Sequence, residues 1–143
     1  MEETAGRTPE LSLEDTFLRA VAGLPEEDER AGVVAEALGY LQQGFDAHYA
    51  RGRATDDDVL VGDNAYALAL ETIARLDEPR FVAVASRMIR DGAGRIAAGG
   101  AVSLHTWTPH LAGLLHIISE EGEQRSEARI REAAEELRGH SSG

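Results

Sequence analysis

Apolar residues recur along this chain at intervals of three and four, the period of a helix with one face turned inward. No stretch of useful length alternates at the interval of two that marks a half-buried strand. Leu13, Phe17 and Val21 step by fours within a predicted helix from Leu11 to Val21, and Ser12 stands where a hydroxyl can cap it. Gly23, Leu24 and Pro25 break that helix. Pro25 suits the first turn of a second one, expected to run to about Ala50, and Glu26, Glu27, Asp28 and Glu29 put negative charge where the helix dipole favours it.

The second helix carries the stripe Val34, Leu38, Leu41 and Phe45, which predicts one buried face. Gly32, Gly39 and Gly44 each weaken it by about 1 kcal/mol relative to alanine. Two readings of these glycines stand side by side: a second helix approaching closely there, or tolerated substitution on an exposed side.

A polar turn, Arg51 to Asp56, leads to a third helix over Asp57 to Leu76. Its expected stripe is Val61, Ala65, Leu68, Thr72 and Leu76, with Gly62, Ala67 and Ala69 small enough for close packing. Asp77, Glu78 and Pro79 stop it and start a fourth helix, Pro79 to Ala98, which buries Phe81, Ala85, Met88, Gly92 and Ile96 and ends at Gly99–Gly100 in the manner of a glycine cap. Residues 101–107 read as the least helical stretch. Thr108 and Pro109 then predict an N-cap and first turn for a fifth helix, whose Leu111, Leu114, Leu115, Ile117 and Ile118 spread over more than one side. From Glu123 to Leu137 a narrow stripe of Ile130, Ala133, Ala134 and Leu137 among charges predicts a last helix on the surface or against a partner.

The pattern predicts an all-α, single-domain bundle of five to six helices over residues 11–138, with disordered tails at 1–10 and 139–143. Val34, Leu38, Leu41, Phe45, Leu68, Phe81, Met88, Ile96, Leu111 and Leu115 are its expected core. A chain of 143 residues buries enough surface to fold without staples, and it has no cysteine, which removes disulfides and thiolate chemistry. A net charge of −12 disfavours nucleic acid, whose phosphates require clustered positive charge. All fourteen basic residues are arginine, the better fork for carboxylates and diphosphates. No apolar run is long enough to span a membrane, and the acidic start MEETAGRTPE is unlike a signal peptide, so a cytoplasmic protein is expected.

Catalytic signatures are sparse. None of His48, His105, His110, His116 and His140 follows a glutamate by three residues, as the ligands of a di-iron bundle do. His110, His116 and Glu120 form one candidate metal set, set against ordinary histidines of surface or core. Asp56, Asp57 and Asp58 could hold Mg²⁺, although acids before a helix usually complement its dipole. There is no nucleophile elbow and no phosphate-binding glycine loop. No catalytic, cofactor-binding or metal-binding residue is assigned.

One stretch is more specific. Val59-Leu60-Val61-Gly62-Asp63-Asn64-Ala65-Tyr66-Ala67-Leu68, followed by Leu70, Ile73 and Ala74 and by a helix with Ala85, Ile89 and Ile96, resembles the Leu-x-Gly-Asp helix pair of the trans-polyprenyl diphosphate synthases. Arg51-Gly52-Arg53-Ala54-Thr55 is similar to the arginine-rich turn before that pair. The likeness covers residues 41–98 and implies part of the isoprenoid synthase fold. Active synthases carry Asp-Asp-x-x-Asp upstream of the turn to hold Mg²⁺ against the allylic diphosphate. Here Leu41-Gln42-Gln43-Gly44-Phe45 occupies that window, and no second aspartate motif follows.

Ionising a diphosphate requires its departing charge to be neutralised, and these residues cannot do so alone. The chain therefore resembles the small, non-catalytic component of the two-component heptaprenyl and hexaprenyl diphosphate synthases that make quinone side chains. The resemblance implies a heterodimer with a catalytic large subunit that binds the Mg²⁺, a role in setting prenyl chain length, and no cofactor on this chain. It marks Gly62, Asp63, Ala65 and Tyr66 as motif or interface residues, and Arg51 and Arg53 as candidate diphosphate contacts. Alternatives from other classes are a helical adaptor or apolar-ligand bundle without catalysis, and a helical metalloprotein built on the His/Glu set.

Overall fold

The computed structural model describes residues 12–25, 27–49, 56–99 and 104–142. They form six helices and, among the described residues, no strand: α1 Leu13–Ala22, α2 Arg30–Tyr49, α3 Asp56–Ala74, α4 Pro79–Ala97, α5 Leu104–Ser119 and α6 Glu123–Ser142. The N-terminal segment expected to fray, residues 1–10, lies outside the described residues.

Several boundaries follow from local chemistry as expected. The Ser12 hydroxyl accepts the Asp15 amide at 2.8 Å and opens α1. Glu78 accepts the Arg80 amide while Pro79 takes the first helical position of α4. Gly99, at φ +83°, closes α4 with its amide on the Ile96 carbonyl.

Two helix starts differ from expectation. α2 begins at Arg30 rather than Pro25, because Asp28 acts as the cap. Its carboxylate accepts the Arg30 amide at 2.9 Å and grips the Arg30 guanidinium at 2.7 Å, and its carbonyl takes the Ala31 amide. α5 begins at Leu104, so Thr108–Pro109 lies inside it rather than at its start. Proline there removes a hydrogen bond and crowds the preceding turn. The offsetting gain is Trp107, which this earlier turn carries into the core to stack on Phe45 at 4.7 Å and 14°.

α2 is the central element, touching α1, α3, α4 and α5, with its most extensive contact to α3. It is buried on more than the one face expected: Ala31, Ala35 and Ala37 join Val34, Leu38, Leu41 and Phe45 in the core. α5 is buried from Trp107 round to Ile118, which is the breadth its sequence suggested. α6 lies on α5 and α1 through Ile130, Ala133 and Ala134, and it continues beyond Leu137 to Ser142. Arg129 secures it, with two hydrogen bonds to Glu121 at 2.7 and 3.0 Å and a third to the Gly23 carbonyl.

The orientation of α3 needs correction. Its inward face is Gly62, Ala65, Tyr66, Ala69, Thr72 and Ile73, whereas Val61 is 58% exposed and Leu68 only half-buried. Ile96, also expected in the core, is half-buried at the end of α4. The small residues set the roll of α3: its backbone comes close to α2 only with Gly62 inward, and Val61 then turns outward.

Candidate functional site

The residues singled out by resemblance lie where α3 crosses α2. Gly62 is buried, and a Cβ placed on Gly44 of α2 would stand 3.1 Å from the Gly62 carbonyl oxygen and overlap the Tyr66 ring. Ala65 and Tyr66 are 4% and 7% exposed at the same crossing. These three residues are therefore spent on packing within the chain. Asp63 is exposed on the adjacent side. Burial, and then the Asp63 carboxylate, push the Tyr66 phenol up to about 12, so it stays protonated. Arg51 and Arg53 lie outside the described residues.

Residues 41–45 of α2 are packed with uncharged groups. Phe45 sits between the Tyr66 ring, 5.5 Å away, and the stacked Trp107. Gly92 of α4 makes room for this cluster: a Cβ there would overlap Phe45 and approach Trp107 at 2.8 Å. Gln42 faces the other way and accepts the Leu13 amide at 2.8 Å, tying α1 to α2. Asp46, one residue beyond, is exposed. These side chains build an aromatic wall rather than a carboxylate cage.

The outer side of α3 is different. Leu60 and Val61 are 67% and 58% exposed on the face away from the Gly62 crossing. Further along the same side stand the exposed Asn64 and then Ala67 and the half-buried Leu68.

The histidine set is not assembled. His110 Nε2 donates to Asp91 of α4 at 3.0 Å, while His116 contacts the Glu121 backbone carbonyl at the end of α5. Glu120 has φ +63° in the turn that follows. Among the described residues no group of three metal-capable side chains converges. Burial holds the His110 imidazole below its usual range despite the Asp91 carboxylate, with Arg87 acting in the same direction as burial. Around this pair α4 and α5 leave a groove also lined by Arg90, Gly94, Arg95 and Thr106. No spacing along the chain points to this pair, since Asp91 and His110 lie on different helices and meet only through the fold.

Among the described residues no helix is long and apolar enough to cross a membrane. Comparisons with family models, curated proteins and solved structures find no match.

Proposed function

We propose that this chain is the non-catalytic partner subunit of a trans-polyprenyl diphosphate synthase, binding a large subunit that holds the Mg²⁺ and influencing the length of its prenyl product. The observation that carries this reading is the two-sidedness of α3. Its Gly62–Tyr66 face, whose order resembles the Leu-x-Gly-Asp helix of that family, is consumed against α2, while Leu60 and Val61 on the other face stay exposed. Adjacent large apolar side chains in water suit a protein contact.

One further feature supports a partner role. Phe45, which lies in the window that the resemblance aligns with the metal-binding carboxylates of active synthases, is stacked on Trp107 instead. Ionisation of an allylic diphosphate then depends on groups from elsewhere. The partner face on this reading is the outer side of α3 rather than Gly62 and Ala65, and a stable complex buries about 1,200–2,000 Å² in total. The assembly works in the cytoplasm, where quinone side-chain precursors are made.

The test is co-expression with a synthase large subunit carrying both aspartate motifs, followed by co-purification and chromatography of the prenyl products. A stable complex that yields a product length the large subunit does not make alone supports the proposal. Failure to co-purify, or a chain that only pairs with itself, refutes it.

A further inference from the structure

The groove between the C-terminal half of α4 and the first turns of α5 has a volume of about 560 Å³. Its position on α4 follows from helical geometry: at 100° per residue, Asp91, Gly94 and Ala98 form a line along the helix, and Arg90 and Arg95 flank that line on its two sides. The floor is open, because a Cβ on Gly94 would meet nothing within 4 Å. Thr106 lines the groove from α5. The one carboxylate in the lining, Asp91, is engaged by His110 at 3.0 Å.

Charge makes this arrangement unusual within the molecule. The chain carries a net charge of −12, and Arg19, Arg30, Arg80, Arg125, Arg129 and Arg131 each hold a carboxylate. Among the described residues no ion pair engages Arg90 or Arg95. In an acid-rich protein, two uncommitted guanidinium groups on either side of one groove create a local positive field in an otherwise negative one. Arg87, close enough to act on His110, adds to it.

From this geometry we infer that the α4–α5 groove binds a small phosphate-bearing anion, with Arg90 and Arg95 taking its oxygens from opposite sides and Thr106 donating its hydroxyl. A guanidinium fork matches the oxygens of phosphate and binds them with charge-assisted hydrogen bonds. A dianion uses both arginines, whereas a single carboxylate leaves one of them unused. The His110–Asp91 hydrogen bond holds the carboxylate in place without cancelling its charge, because the half-buried imidazole is neutral at neutral pH, and Arg90 and Arg95 outweigh it two to one.

The site does not depend on the partner-subunit assignment, and its test uses the isolated full chain. Calorimetric titration with inorganic phosphate and, separately, with phenyl phosphate at low ionic strength is expected to show saturable binding of one anion per chain. Arg90→Gln with Arg95→Gln should weaken it by about tenfold or more. Arg75→Gln, at the distant end of α3, should leave it unchanged. Tighter binding of phenyl phosphate identifies an organic phosphate as the ligand, and equal affinity identifies the free ion. Absence of saturable binding at millimolar concentration of either probe overturns the inference. So does a double variant that unfolds like the parent protein and binds equally well.

Discussion

Gly44 of α2 and Tyr66 of α3 touch with no space for a side chain between them. A methyl group at position 44 would overlap the phenol ring, and Tyr66 cannot retreat easily because it is 7% exposed and packed beside Phe45. Gly32, on the same helix, is exposed, and a Cβ there would meet nothing within 4 Å. Alanine should therefore act in opposite directions at the two positions. Gly44→Ala is expected to destabilise by about 1–3 kcal/mol through overpacking, reduced by the better helix propensity of alanine. Gly32→Ala is expected to stabilise by about 0.5–1 kcal/mol. Urea unfolding of the two variants beside the parent protein checks both signs.

A similar contrast separates two leucines. Leu38 is 1% exposed in the core, and Leu38→Ala should cost about 2–5 kcal/mol. Leu68 is half-buried on the flank of α3, so Leu68→Ala should cost distinctly less. Equal losses in thermal or denaturant unfolding would contradict the observed roll of α3.

That roll marks the limit of what the pattern of residues could disclose. A bundle of five to six helices and most of its inward positions follow from local periodicity, because Leu13 and Phe17, Leu38 and Leu41, Phe81 and Ala85, and Leu111 and Leu115 recur three or four residues apart and are all buried. The face of α3 was harder to read. Val61 and Gly62 are adjacent, and a hydrophobicity argument prefers valine inside. Close approach to Gly44 prefers glycine, and the backbone contact prevails. Thr108–Pro109 has the chemistry of a helix start, yet the stacking of Trp107 on Phe45 extends α5 backward. The His110–Asp91 pair joins residues from two helices, so no spacing rule could have found it.

Acid should weaken the fold through His110. Burial lowers its folded pKa from the ordinary value of 6.5, so the unfolded chain binds the proton more readily. This histidine's contribution is complete above pH 6.5 and is lost as pH falls through the lower folded value. Carboxylates held low by arginine, such as Asp28 and Glu121, lose their contributions only at more acidic pH, below ordinary values of 3.8 and 4.5. Between pH 6.5 and 4.5 the parent protein should therefore lose stability on acidification, and His110→Gln should flatten that part of the profile. An NMR titration placing the His110 imidazole above 6.5 would contradict this account.

The outer face of α3 yields the sharpest test of a partner role. Gly62→Leu is a poor probe, because Gly62 is buried against α2 and any lost assembly would be confounded by damage to the α2–α3 crossing. Leu60 and Val61 are free of that difficulty, being 67% and 58% exposed. Replacing both with aspartate should change folding stability by no more than about 0.5 kcal/mol, as usual for surface positions. At a protein interface the same change buries two unpaired charges and removes two apolar contacts, so association should fall by roughly 2 kcal/mol or more, at least about thirtyfold in Kd. The measurement is co-purification and calorimetry of the double variant with the candidate synthase, beside an Arg125→Ala control on exposed α6 that should bind normally. A double variant that folds like the parent and keeps full affinity would remove this face of α3 from the interface, and with it the observation on which the partner-subunit proposal rests.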